Sequence, residues 1–173
     1  IPVFNEAGTV ASTLNSISQI LIANAISHEI IAVNDGSNDQ GGVILNNLTI
    51  PNLRVIHHPE NRGYGSALKT GIKAAQHPWI LITDSDGTYP IDRIPDLVVH
   101  LDTYDMVVAS REKNHDQKVH DTLARKIGRG LIRWFASYVT GHEIKDINSG
   151  MRIFKKEDAE RFWHLFPDGF SFT

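Results

Sequence analysis

Short runs rich in Val and Ile alternate along the chain with longer stretches of helical period, and this alternation limits the fold more than any other feature. Strands joined through helices run parallel, because each crossover returns the chain to the same edge of the sheet. The expected strands are residues 1–4, 29–33, 53–57, 79–83, 105–109 and 151–154. Most are continuous apolar runs, as strands covered on both faces require. Between the first two, Val10, Leu14, Ile17 and Leu21 recur at spacings of four, three and four, marking a helical face that starts near Thr9 as N-cap. Further helices are expected over 66–76, 91–101 and 121–140, the last with Leu123, Ile127, Leu131, Trp134, Phe135 and Tyr138 on one face. The fold class is therefore α/β, a mostly parallel twisted sheet with helices on both faces.

A chain of 173 residues with 41% hydrophobic content suits one domain, and 1–173 is expected to be that domain. It opens at Ile1-Pro2-Val3-Phe4 without an initiator Met and closes on Gly169-Phe170-Ser171-Phe172-Thr173, so a core trimmed at both ends is expected. No apolar run approaches the roughly 18 residues of a membrane span. The absence of Cys excludes disulfides, thiolate zinc sites and Cys nucleophiles. A net charge of −3 gives no global attraction to nucleic acid.

In open α/β sheets, ligands bind beyond the carboxyl ends of the strands. Here those positions carry Asn5-Glu6, then Asn34-Asp35-Gly36-Ser37-Asn38-Asp39, then Asn61-Arg62-Gly63-Tyr64-Gly65, then Asp84-Ser85-Asp86-Gly87-Thr88-Tyr89, and finally Ser110-Arg111. Asn, Asp and Gly also build ordinary turns, so the signal lies in their joint position at one sheet edge. Asp84 and Asp86, two apart after Trp79-Ile80-Leu81-Ile82, repel one another unless a cation lies beside them. Hard oxygen donors without nearby Cys or His point to Mg²⁺ or Mn²⁺, which also bind phosphates. Gly63-Tyr64-Gly65-Ser66-Ala67-Leu68-Lys69-Thr70 fails as a phosphate loop, since Leu68 occupies the place of the required glycine. There is no G-x-S-x-G elbow or H-E-x-x-H helix. Adjacent His57 and His58 face opposite ways on a strand and read as packing and surface residues.

Residues 111–133 depart from the neutral average with seven basic side chains against three acidic, a formal +4. Arg125, Arg129 and Arg133 stand four apart on one helix stripe. Such a stripe is either a solvated face or the counterpart of an anionic acceptor or a phosphate-bearing membrane surface.

Taken in order, Pro2-Val3-Phe4-Asn5-Glu6, Val33-Asn34-Asp35-Gly36-Ser37, Asn61-x-Gly63-x-Gly65-x-Ala67-x3-Gly71, Asp84-Ser85-Asp86-Gly87 and Asp146-x-x-Ser149-Gly150-x-Arg152 resemble the signatures of family 2 glycosyltransferases of the GT-A (Rossmann-like) fold. Within that family, the dolichol-phosphate mannose synthase-like and polyprenyl-phosphate glycosyltransferase group is the most similar. The resemblance implies that Pro2, Phe4, Glu6, Asn34, Asp35, Asn61, Gly63 and Ser85 serve the nucleotide, with the 61–71 turn and helix close to the nucleoside and diphosphate. It implies that Asp84 and Asp86 are catalytic and hold the metal, with Thr88 at the third ligand position. Arg111 and Arg152 join the catalytic set, and Arg125, Arg129 and Ser149 serve the acceptor. Asn34 stands where an Asp is common, leaving the base open between UDP and GDP donors. Thr88 stands where the mannose synthases carry a Gln.

The reaction so implied is an inverting transfer from a nucleotide diphosphate sugar, most naturally to a polyprenyl phosphate. That acceptor is already an anion and needs cationic side chains rather than a general base. A sugar or protein hydroxyl acceptor is the alternative, with Asp146 opposite the anomeric carbon; a non-catalytic nucleotide-binding domain is the second. The resemblance implies a cytoplasmic chain with peripheral contact at the cytoplasmic face of a membrane, and the near-neutral charge implies no nucleic-acid partner.

Overall fold

The computed structural model describes residues 1–110, 123–141, 143, 146 and 149–169. Ile1–Val107 with Gly150–Thr173 form one compact unit and Val108–Ser149 a second.

In the first unit, β1 (Pro2–Val3), β2 (Ile30–Asn34) and β3 (Leu53–His57) lie side by side in that order, all parallel. The register sets Pro2 opposite Val33 and Asn34 opposite His57, so the polar residues that follow the strands emerge at one edge. All five residues of β2 are buried, which is why its sequence is apolar without alternation. The connecting helices are α1 (Val10–Ala23), α2 (Gly41–Asn47) and, after β3, α3 (Tyr64–Ala74). α1 buries Val10, Leu14, Ile17 and Leu21, the stripe read from the sequence. Thr9 is its N-cap by position, but the Thr9 hydroxyl donates to Glu6 Oε2 at 3.0 Å instead of capping the helix.

A second sheet contains β4 (Trp79–Ile82), β5 (Met106–Val108) and β6 (Arg152–Lys155) in the order β4-β6-β5. β6 runs antiparallel to β4, with Ile82 opposite Arg152 and Trp79 opposite Lys155. This reversal brings the buried Arg152 to the carboxyl end of β4. The helix expected over 91–101 is shorter: a 3₁₀ turn at Ile91–Arg93 leads into α4 (Ile94–Val98), where Pro95 occupies the first turn. Leu68 and Ile72 of α3 pack with Ile80, Ile82, Phe154 and Ala159, and Ala67 packs with Ile31 and Val33, so α3 binds both sheets of this unit. Fully burying each large aliphatic side chain contributes roughly 1.5–3 kcal/mol. α6 (Lys156–Arg161) follows β6.

The second unit carries α5 (Leu123–Thr140), in agreement with the expected 121–140 helix. Leu131, Trp134, Phe135 and Tyr138 on it are between 60% and 75% exposed. No helix among the described residues is long and apolar enough to cross a membrane.

Candidate active site

Beyond the carboxyl ends of β1, β2 and β4 lies a cavity of about 470 Å³. One wall is Pro2, Val3, Phe4 and Glu6 with Asp35; another is Asn61, Gly63, Tyr64 and Ala67; Asp84, Ser85 and Asp86 close the third. Phe4 is an exposed ring on this rim, a flat apolar surface against which a base can lie. A second cavity of about 370 Å³ is lined by Ile17, Leu21, Ile31, Ile72, Ile80 and other largely apolar residues, and contains none of these carboxylates.

Backbone and side-chain ties hold the walls in place. The Thr13 hydroxyl on α1 donates to the Ser85 carbonyl at 3.2 Å, and the Ser85 hydroxyl donates to the Pro2 carbonyl at 3.1 Å, both buried. The loop after β2 is laced to the loop after β1: Asn5 N–H donates to Ser37 Oγ at 3.0 Å and Ala7 N–H to Asp39 Oδ2 at 2.9 Å. Much of the polar character of these loops is thus spent on positioning them. Asp35, only 2% exposed, accepts from Arg62 N–H at 3.0 Å on Oδ1 and from Gly63 N–H at 2.8 Å on Oδ2.

Asp84 Oδ1 accepts a hydrogen bond from the Tyr64 hydroxyl at 3.0 Å. Burial first, and then the charge of Asp84 and this hydrogen bond, hold the Tyr64 phenol well above its usual pKa, while Arg152 opposes the shift. The phenol therefore remains a donor and fixes the carboxylate. Gly150 completes the arrangement: a Cβ there would lie 2.8 Å from both Asp84 Oδ2 and the Tyr89 hydroxyl, and the Gly150 N–H donates to that hydroxyl at 2.5 Å. Only a residue without a side chain fits so close to the carboxylate.

Asp86 Oδ1 accepts from both the N–H and the hydroxyl of Thr88, at 2.9 and 2.8 Å, which leaves Oδ2 with no partner among the described residues. No group of three or more His, Cys, Asp or Glu able to hold a metal occurs among the described residues. Two carboxylates without a third suit a hard divalent cation that completes its shell with water and diphosphate oxygens, and do not suit zinc.

The cavity wall does not include every expected residue. Asn34 does not line the cavity; its side chain donates to His57 Nδ1 at 3.0 Å and accepts from Ser37 N–H at 3.1 Å. The Thr88 hydroxyl is turned to Asp86, and Ser85 reaches the cavity with its hydroxyl committed to Pro2. Ser149 is buried in the second unit. Arg111 lies outside the described residues, as do the side chains of Arg125 and Arg129 on α5. The turn and helix after Asn61 do line the cavity, yet Gly65 and Ser66 N–H at the start of α3 donate to the carbonyls of Gly169 and Asp168, at 2.9 and 2.8 Å. Those amides are capped by the protein's own chain rather than open to a phosphate. The sequence reading missed Tyr64 and Tyr89 and read His58 as a packing or surface residue, because their partners lie far away in sequence; for Tyr64, a local signal was its place between two glycines.

Comparison with known proteins matches this arrangement to the profile of Glycosyl transferase family 2 over residues 1–163. The chain is 31% identical to a dolichyl-phosphate beta-glucosyltransferase of Trichomonas vaginalis, covering 97% of this chain and 53% of that protein. It is 31% identical to a dolichyl-phosphate hexose transferase of Haloferax volcanii, covering 89% and 64% respectively. It thus spans between about half and two thirds of the length of these curated relatives. Among solved structures, glucosyl-3-phosphoglycerate synthase from Mycobacterium tuberculosis in complex with UDP superimposes with a TM-score of 0.65 at 23% identity, over 90% of this chain and 55% of that one. The same enzyme has been solved with Mn²⁺ and UDP. This likeness establishes the fold as that of the GT-A glycosyltransferases, and the family match establishes more: the chain belongs to glycosyl transferase family 2.

Proposed function

We propose that residues 1–173 act as one catalytic domain that transfers a sugar, with inversion, from a nucleotide diphosphate sugar to a polyprenyl phosphate. The observation that supports this reading is the single cavity in which the Phe4 ring, the 61–63 turn and the Asp84 and Asp86 carboxylates face one another. A base lies against Phe4 and the turn, and the diphosphate extends toward Asp84 and Asp86. Asp84 and Asp86 would hold Mg²⁺ or Mn²⁺, which would neutralise the charge that develops on the leaving diphosphate. Tyr64 and Gly150 keep Asp84 aimed at that position.

The acceptor contributes a phosphate oxygen that forms the new bond to the anomeric carbon as the bond from that carbon to the diphosphate breaks. No proton has to be removed from the nucleophile, so no general base is required. Arg152, buried at the first position of β6, and Arg111, which follows β5 in sequence, are the cations assigned to the acceptor phosphate and donor sugar. The relatives named for dolichyl phosphate support this acceptor class. The amphipathic α5 gives it a route: an exposed face with Trp134 and Tyr138 stacked at 5.8 Å, in a sequence that also carries Arg125, Lys126, Arg129 and Arg133. Aromatic residues flanked by cations favour the headgroup layer of an anionic bilayer, and this helix is assigned to peripheral contact with the cytoplasmic face.

The test is a screen of labelled UDP- and GDP-sugars against a polyprenyl phosphate, followed by solvent extraction. Label in the lipid fraction, dependent on Mg²⁺ or Mn²⁺, is the expected result. Label transferred only to a water-soluble product would assign a hydroxyl acceptor instead, and binding without transfer would assign a nucleotide-binding domain.

A further inference from the structure

The loop after β2 and the turn after β3 meet at a buried pair that the reaction itself does not use. His58 is 7% exposed, and its Nδ1 lies 2.6 Å from Asp35 Oδ1. Its Nε2 lies 2.9 Å from the Thr70 hydroxyl on α3, and its backbone N–H donates to the Asn34 carbonyl at 2.8 Å. A ring nitrogen facing a carboxylate carries the proton, so Nδ1–H donates to Asp35, while Nε2 is hydrogen-bonded to the Thr70 hydroxyl. The ring is thereby fixed to β2, β3 and α3 at once.

Asp35 in turn accepts from Arg62 and Gly63 N–H. Those two amides belong to a turn in which Gly63 adopts φ +96°, and the carboxylate is the acceptor the structure provides for them. Three protein donors therefore converge on Asp35, and its carboxylate is occupied with shaping the turn that forms a wall of the cavity. We propose that His58 is a positioning residue for the nucleotide pocket, acting through Asp35 on the 61–63 turn, and that Asp35 serves the nucleotide by holding that turn. The inference rests on the cavity being the nucleotide site. A hydrogen bond to a buried carboxylate is among the stronger ones in proteins, and removing its donor leaves the charge under-satisfied. The turn then loses the orientation of its acceptor even though its own residues are unchanged.

The experiment compares His58→Leu, His58→Asn and Thr70→Val in the full chain. Three readouts are taken: hydrogen exchange at the Arg62 and Gly63 amides without nucleotide, calorimetric affinity for UDP and GDP in the presence of Mn²⁺, and thermal melting. His58→Leu is expected to speed exchange at these two amides, and to weaken binding of whichever nucleotide the unmodified protein takes, by about tenfold each. His58→Asn, whose side-chain amide can still donate to Asp35, recovers most of both; Thr70→Val costs less than about threefold. A folded His58→Leu with unchanged exchange and affinity would overturn the proposal, as would a folded His58→Asn as impaired as the Leu variant, since that ties the effect to the bulk of the ring. Absence of any nucleotide binding by the unmodified protein would remove the functional reading above, while the exchange measurement would still decide whether His58 holds the turn.

Discussion

α3 and α5 are both amphipathic, yet they have met opposite fates. α3 buries Gly65, Ser66, Ala67, Leu68 and Ile72, and its first amides are capped by the carbonyls of Asp168 and Gly169. α5, at 18 residues the longer of the two, leaves Leu131, Trp134, Phe135 and Tyr138 exposed. Their glycines show the same contrast. A Cβ at Gly65 would overlap the Pro167 carbonyl oxygen, whereas at Gly128 and Gly130 it would meet nothing within 4 Å. Periodicity announces that a helix has an apolar face; what covers that face is decided by segments far away in sequence, or by another phase altogether. α3 is completed by its own chain, and α5 is proposed to meet a lipid surface.

The largest effect expected from this contrast is at Gly65. Gly65→Val forces the Pro167 to Gly169 segment off the start of α3 and should cost about 3 kcal/mol or more, read as a fall in melting temperature. The double variant Trp134→Glu, Tyr138→Glu should next lower partitioning onto anionic vesicles by well over tenfold, as two interfacial aromatics become anions, with melting within about 0.5 kcal/mol of the parent. A large loss of stability instead would show that the face is covered by protein. Tyr64→Phe, at the first position of α3, removes the donor to Asp84 and should weaken metal-dependent nucleotide binding by about three- to tenfold. Because the Tyr64 pKa is raised on folding, its protonated form is the stabilising one. That contribution is complete below the ordinary phenol pKa and is lost only as the pH climbs toward the raised one. Smallest, and opposite in sign, Gly128→Ala or Gly130→Ala should stabilise α5 by roughly 0.5–1 kcal/mol each, seen as increased helical circular dichroism.

The same contrast explains how far the sequence could be read. β3 was found at its observed limits and α1 with its buried stripe, because continuous apolar runs and a regular four-three-four spacing are local signals. α2 was missed, since seven residues beginning Gly41-Gly42 and burying only Gly41 and Leu45 carry too little pattern. The direction of β6 was invisible, because a short apolar run has no polarity, and its antiparallel pairing with β4 is what sets Arg152 opposite Ile82. In the site, the place of Asp84 and Asp86 after β4 was legible, and both carboxylates line the cavity there. Asn34 does not line the cavity, since an Asn at a strand end serves a turn as readily as a ligand, and here it bonds His57 and Ser37. Tyr64 and His58 were not legible because each takes its meaning from a partner in the loop after another strand, 20 and 23 residues away.

The central claim is that Asp84 and Asp86 join a divalent cation to a nucleotide diphosphate. Its most direct measurement is calorimetric titration of UDP and GDP into the unmodified protein and Asp86→Ala, each with and without Mn²⁺. Asp86 is exposed and its removal spares the core, so the variant should fold as the parent does. The account predicts that Mn²⁺ tightens binding of at least one nucleotide by tenfold or more in the parent, and that Asp86→Ala abolishes this gain, a difference of at least about 1.4 kcal/mol. Equal affinity in all four conditions would contradict it.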